Sequence, residues 1–312
     1  MGIYEAYYNC RQEPFSLSPD PSFLYLAPSH REALAQFRYV VDSRKGFAVL
    51  TGEVGMGKTT LLRAFLEQLG TEVNTAYFVS PPHSRSELYG AIASEFGIKW
   101  RSVGSRTNEL NEFLLDNYRA GRNVVMIFDE AQALNPKVLE EIRLITNFET
   151  SDAKLLQVIL AGQPEFDTML DSDKLRALRQ RVIMRYRLVP LGREDTVQYI
   201  AARVRTAGAE SSPFTYAACE AVCRYSKGIP RVINLLCDNA LLAGYARDSQ
   251  SIGRRQIDEV AKDLRLVSAE VAGVSEGRDR PRLIARRWLA RVAALLGFVM
   301  GWLVTPRRFW GL

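Results

Sequence analysis

One eight-residue run, Gly52-Glu53-Val54-Gly55-Met56-Gly57-Lys58-Thr59, constrains this chain more than any other feature. It fits G-x-x-x-x-G-K-[ST] and lies between an apolar run, Phe47–Leu50, and a helical pattern over Lys58–Leu69. Glycines in that setting let backbone N–H groups close around a β-phosphate, and the helix N-terminus adds partial positive charge. Lys58 is then placed to reach the β- and γ-phosphates, and the Thr59 hydroxyl to ligate Mg²⁺. The expected ATP-binding run is therefore Gly52, Glu53, Val54, Gly55, Met56, Gly57, Lys58, Thr59 and Thr60. A glycine-rich turn without a ligand is the competing reading, and the strand–loop–helix context weighs against it.

A second run, Val124-Val-Met-Ile-Phe128-Asp129-Glu130, reads as a buried strand ending in two acids. Asp129 is expected to share the Mg²⁺ site with Thr59, and Glu130 to orient and deprotonate an attacking water. Three further signals are less specific. Gln163 ends the run Leu155–Ala161 in Gly-Gln-Pro-Glu and is either a γ-phosphate contact or a turn residue. Arg179 and Arg181 suit the stabilisation of phosphoryl charge from a neighbouring subunit. Arg176, Arg185 and Arg187 crowd the same segment, so a solvated basic face also fits. Arg231 follows Gly228-Ile-Pro at the first turn of a helix, from which it would swing onto the phosphates.

Apolar runs at Phe47–Leu50, Ala76–Val79, Val124–Phe128 and Leu155–Ala161 alternate with helical patterns at Lys58–Leu69, Ser86–Phe96, Asn108–Tyr118 and Pro136–Phe148. A fifth strand is expected at Met184–Val189, and Ser29 is the expected N-cap of a first helix. This alternation implies an α/β fold whose parallel five-stranded sheet is covered on both faces. Beyond Pro190 only helical patterns remain, at Glu194–Thr206, Thr215–Tyr225, Pro230–Ala246 and Arg255–Val267, and these form a small separate domain. The division is thus an N-terminal linker and first helix over 1–46, a nucleotide domain over 47–190 and a helical lid over 191–267.

The net charge of +6 raises the question of where the basicity sits. Of 41 Lys and Arg and 35 Asp and Glu, eight Arg and two acids fall within 276–312, leaving 33 of each in the other 275 residues. A body of zero net charge disfavours a DNA-binding enzyme, although a local patch over 176–187 would still serve one. Residues 268–287 read as a basic linker, and 288–304 as an apolar helix ending in the unbroken run Val292–Val304. Seventeen helical residues extend about 25 Å, slightly short of a ~30 Å hydrocarbon core, with Trp288 and Trp302 suited to its interfaces. A membrane-spanning helix is the expectation, ahead of shallow insertion or burial against protein. The four cysteines show neither metal-ligand spacing nor a disulfide framework and read as free thiols.

Together these residues resemble the AAA+ ATPases and, more narrowly, the ExeA-type (general secretion pathway protein A) family. The resemblance runs over about residues 3–270 and includes GFAVLTGEVGMGKTTLLRAFLEQL, VVMIFDEAQALNPKVLEEIRLITNFET, KLLQVILAGQPEF and KGIPRVINLLCDNALLAGYA. It implies an αβα sandwich with a helical lid, active as an oligomer with sites at subunit interfaces. It assigns Gln163 as sensor 1, Arg181 as the trans arginine finger and Arg231 as the sensor-2 arginine, with Phe23–His30 lying against the adenine. Members of the better-known branch span the inner membrane and carry a periplasmic peptidoglycan-binding domain. The present sequence ends at Leu312 without one, so exopolysaccharide, pilus and transposition systems stand beside secretion as the machine served. The leading expectation is an ATPase driving assembly of a secretion or envelope machine at the inner membrane. A DNA-binding regulator of the transposition type and a slowly hydrolysing scaffold are the alternatives. A helicase, suggested by Asp129-Glu-Ala-Gln132, fails because nothing after residue 190 can form a second motor domain.

Overall fold

The computed structural model describes residues 3–266. Five strands, β1 (Phe47–Thr51), β2 (Val73–Phe78), β3 (Asn123–Phe128), β4 (Gln157–Gly162) and β5 (Val182–Arg187), form one sheet in the order β2-β3-β4-β1-β5. Every neighbouring pair is parallel. β1 and β4 are buried at every residue and β3 at all but its first, which is why their sequences are continuous apolar runs. The edge strand β5 alternates half-buried and exposed positions instead. It begins two residues before the expected Met184, and β2 begins three before Ala76. On these edges one strand face or one flank lacks a partner, so polar residues continue the strand beyond its apolar part.

On one face of the sheet lie α1 (Pro28–Asp42) and α2 (Lys58–Gln68), whose Phe37, Val40, Leu61 and Phe65 pack against Ala48, Leu50, Val125, Ile127 and Ile159. The other face is covered by α3 (Arg85–Phe96), α4 (Arg106–Arg119), α5 (Pro136–Ile145), α6 (Pro164–Leu170) and α7 (Arg176–Arg179). α1 starts one residue earlier than its expected Ser29 cap. Ala27 is the N-cap, Pro28 occupies the first turn, and Ser29 is buried inside the helix. Proline there forfeits a donor that has no intrahelical acceptor anyway.

Four helices, α8 (Arg193–Thr206), α9 (Tyr216–Ser226), α10 (Pro230–Tyr245) and α11 (Arg254–Asp263), build the lid around its own core. Tyr4, Tyr8, Cys10, Phe15 and Phe23 belong to that core as well. The segment 1–46, set apart as one piece in the sequence, therefore divides: its aromatic first part packs on the lid, and α1 packs on the sheet. The four cysteines are free, with Cys10, Cys219 and Cys237 buried. Among the described residues no helix is long and apolar enough to cross a membrane. The expected basic linker 268–287 and apolar helix 288–304 lie outside the described residues.

Candidate functional site

Sheet register gathers the site. Thr51 pairs with Gly162 and Phe128 with Leu160, so Gly52, Asp129 and Gln163 follow the C-terminal ends of three adjacent strands. Between β1 and α2, Gly55 and Gly57 adopt φ of 82° and 86°, a left-handed conformation that side chains with a Cβ disfavour. Gly57 caps α2 without a side chain, so the first N–H groups of that helix face the loop unshielded. The Lys58 ammonium is buried and donates to the carbonyls of Gly52 (2.7 Å) and Glu53 (3.1 Å). Burial holds its pKa below the ordinary lysine value, partly offset by the negative charges of Glu130, Asp129 and Glu53. A buried cation whose direct partners are neutral carbonyls is an acceptor site for an anion. That observation fits a phosphate chain.

Beside it, Thr59 Oγ1 donates to Asp129 Oδ2 at 2.6 Å, and the Tyr77 hydroxyl donates to the same oxygen at 3.2 Å. A hydroxyl and a carboxylate in contact at the mouth of a phosphate loop are the oxygen set that Mg²⁺ takes. Burial, then the Asp129 charge, raise the Tyr77 phenol well above its usual range, so it remains a donor. Glu130 follows at φ 50°, ψ 41°, with its N–H donating to Asp129 Oδ1 at 2.9 Å. Its Oε2 accepts from Gln163 Nε2 at 3.1 Å and from Gln132 Nε2. Tyr77 and Gln132 are residues that motif reading missed. Tyr77 belongs to no motif, and Gln132 stood in the quoted Asp-Glu-Ala-Gln string only as a helicase hint.

A cleft of about 220 Å³ opens next to Gly55–Thr60 and Glu130, walled by Phe23, Leu24, Tyr25 and His30 on one side and by lid residues on the other. From the lid, the Arg231 N–H donates to the Gly55 carbonyl at 3.1 Å, which docks the first turn of α10 on the phosphate loop. Arg203, buried and also unforeseen, donates to the carbonyls of Pro14 (2.7 Å) and Ser16 (3.1 Å) and stacks 4.5 Å from the Phe23 ring. It straps the N-terminal segment to α8. His30 Nε2 lies 3.4 Å from the Met56 carbonyl, and burial lowers the imidazole pKa.

Thus Gly52–Thr60, Asp129, Glu130, Gln163 and Arg231 converge within the chain, while Arg181 does not. It precedes Val182, which pairs with Phe47 at the opposite end of β1 from the phosphate loop, roughly 15 Å away at ~3.3 Å per residue. One of its terminal nitrogens, Nη1, is buried with no partner among the described residues. The crowded arginines around it are mostly engaged. Arg185 pairs with Asp167 (2.7 Å) and Asp171 (2.8 Å), Arg179 donates to the Asp171 carbonyl (2.9 Å), and Arg187 lies 3.9 Å from Glu53. An open basic face for DNA is correspondingly reduced.

Residues 41–170 match the family described as AAA domain. General secretion pathway protein A of Aeromonas hydrophila is 41% identical over 303 residues, 96% of this chain and 53% of the relative. The chain therefore spans about half the length of that curated relative. Among solved structures, the ORC2 protein of Aeropyrum pernix superposes with a TM-score of 0.62 at 15% identity, covering 85% of this chain and 73% of that one. CDC6P of Pyrobaculum aerophilum gives 0.61 at 18% identity, covering 84% and 74%. At such identities the likeness is one of fold, the α/β P-loop sheet with a C-terminal helical lid. The phosphate loop, the strand order and these matches make the chain an AAA-domain homologue of general secretion pathway protein A.

Proposed function

We propose that this chain binds ATP with Mg²⁺ and hydrolyses it, as an oligomer, to drive assembly of a secretion or cell-envelope machine. The observation that carries the reading is the buried Lys58 ammonium beside the Thr59–Asp129 contact, with the Glu130 carboxylate lining the same cleft. Lys58 and the N–H groups of Gly55–Thr60 bind the β- and γ-phosphates. Thr59 and Asp129 would hold Mg²⁺, which supplies neutralisation of phosphate charge when bound. Glu130 takes a proton from water as the water oxygen attacks the γ-phosphorus. The bond to the ADP oxygen breaks, and ADP and phosphate leave. Gln163 and Arg231 close the site from within the chain, and Arg181 of a neighbouring subunit completes it.

The secretion context comes from the name of the Aeromonas relative, and an inner-membrane location from the expected apolar helix 288–304. The pairing of Arg185 with Asp167 and Asp171, the approach of Arg179 to the Asp171 carboxylate and of Arg187 to Glu53, each at 3.9 Å, and the zero net charge of 1–275 weigh against a DNA-binding regulator. Two variants test the chemistry. Lys58→Ala is expected to lose ATP binding. Glu130→Gln is expected to retain ATP while turnover falls about 10²-fold or more, the scale of a lost general base. Wild-type turnover in Glu130→Gln would remove the assignment of the base.

A further inference from the structure

Gln132 joins two residues that the nucleotide motifs treat separately. It lies in a single 3₁₀ turn, Ala131–Ala133, directly after Glu130. Both ends of its amide are used: Nε2 donates to Glu130 Oε2, and Oε1 accepts the main-chain N–H of Gln163 at 3.0 Å. The Gln163 side chain donates to the same Glu130 oxygen at 3.1 Å. Space for this bridge comes from Gly162, where a Cβ would stand 3.1 Å from Gln132 Oε1 and 2.9 Å from Phe166 Cβ. Glu130 itself sits in the left-handed region, which a residue with a Cβ does not hold by its own preference. Surrounding contacts must determine it: the Glu130 N–H donates to Asp129 Oδ1 and its carbonyl accepts from the Ala133 N–H, while Gln132 holds the carboxylate.

We propose that Gln132 is the positioning residue of the proposed base. It holds Glu130 Oε2 in place and leaves Oε1, which has no protein donor among the described residues, as the oxygen that meets the water. Because Gln132 grips Gln163 through the main chain, the Gln163 side chain can turn toward a phosphate while Glu130 keeps one of its two amide donors. The inference rests on the reading of Glu130 as the base.

Steady-state ATP hydrolysis by the full chain tests it, with Gln132→Leu, Gln132→Glu, Glu130→Gln and the Gln132→Leu/Glu130→Gln double variant. Gln132→Glu retains the acceptor for the Gln163 N–H and exchanges the donor to Glu130 for a second negative charge, so unchanged kcat in it overturns the proposal even if Gln132→Leu does not fold. Both single Gln132 variants are expected to lose kcat about tenfold or more, the scale of a hydrogen bond to a charged group, with KM for ATP within about twofold. The double variant is expected to be no slower than Glu130→Gln alone. Unchanged kcat in the Gln132 variants, a rise confined to KM, or losses that multiply in the double variant would each overturn the proposal. A slow Glu130→Gln beside wild-type Gln132 variants removes the positioning role alone. A Glu130→Gln variant with normal turnover removes the base and this inference with it.

Discussion

Gly55→Ala gives a direct measure of how firmly the lid is docked on the phosphate loop. A Cβ at Gly55 would stand 2.5 Å from the Cβ of Arg231 and 3.2 Å from its Cδ. The nearer atom is fixed to the α10 backbone, so a change of rotamer cannot relieve the overlap. The first turn of α10 must withdraw, which stretches the bond from the Arg231 N–H to the Gly55 carbonyl, now 3.1 Å. Three costs add: about 1–2 kcal/mol for a left-handed alanine, about 1 for the hydrogen bond and about 1–3 for overpacking. Gly57→Ala is the control. Its φ of 86° carries the same strain, but its Cβ would meet only His30 Nε2, at 3.9 Å. The two variants should therefore differ by roughly 2 kcal/mol or more, which for a domain of this size is about 4 °C in Tm. Thermal unfolding without nucleotide, followed by circular dichroism, reads the difference. Equal losses in the two variants would refute the docking, because strain alone would then account for both.

Arg181→Ala is expected to bind ATP and not turn it over. Mixing it with Glu130→Gln subunits should restore a measurable fraction of activity, and co-assembly without recovery would exclude an arginine supplied in trans. Arg179→Ala, whose guanidinium holds the Asp171 carbonyl, should lower stability and leave turnover nearly unchanged. For His30, burial lowers the folded-state pKa, so below about pH 6.5 the unfolded chain binds a proton that the folded chain does not. Its contribution is therefore present above about pH 6.5 and lost as the pH falls. Urea unfolding of wild type and His30→Gln at pH 7.5 and 5.5 should show a smaller loss in the variant, and parallel losses would count against it.

The sheet was legible because its central strands are buried on both faces, a condition that writes itself as unbroken apolar runs. The edge strands were read late, since Val73-Asn-Thr and the alternating Val182–Arg187 carry polar residues into the ladder. The phosphate loop and the Asp129–Glu130 pair were legible because a fixed chemistry demands fixed residue types at short spacing. Tyr77, Gln132 and Arg203 act through contacts made largely to residues distant in sequence or to main-chain atoms, and no period or spacing marks such contacts. The N-terminal aromatics were unassigned for the same reason: Tyr4 reaches Asp238, Tyr8 reaches the Ser249 carbonyl, and Phe15 meets Phe214 across some two hundred residues.

Charge shows the limit of counting most clearly. Five arginines between 176 and 187 suggested either a basic face or a finger offered to a neighbour, and composition cannot choose between them. Pairing can. Arg185 spans Asp167 and Asp171, and Asp167 also accepts from the Thr51 hydroxyl at 2.6 Å, one residue before the phosphate loop begins. A single carboxylate thus ties the end of β1 to the strand that follows Arg181. In the proposed oligomer, a shift of the loop on nucleotide binding would pull on Asp167, on Arg185 and so on the segment that presents Arg181 to the next subunit. In that reading the arginines that suggested surface charge would link one nucleotide site to the next, and Arg181 Nη1 is buried without a hydrogen-bond partner among the described residues.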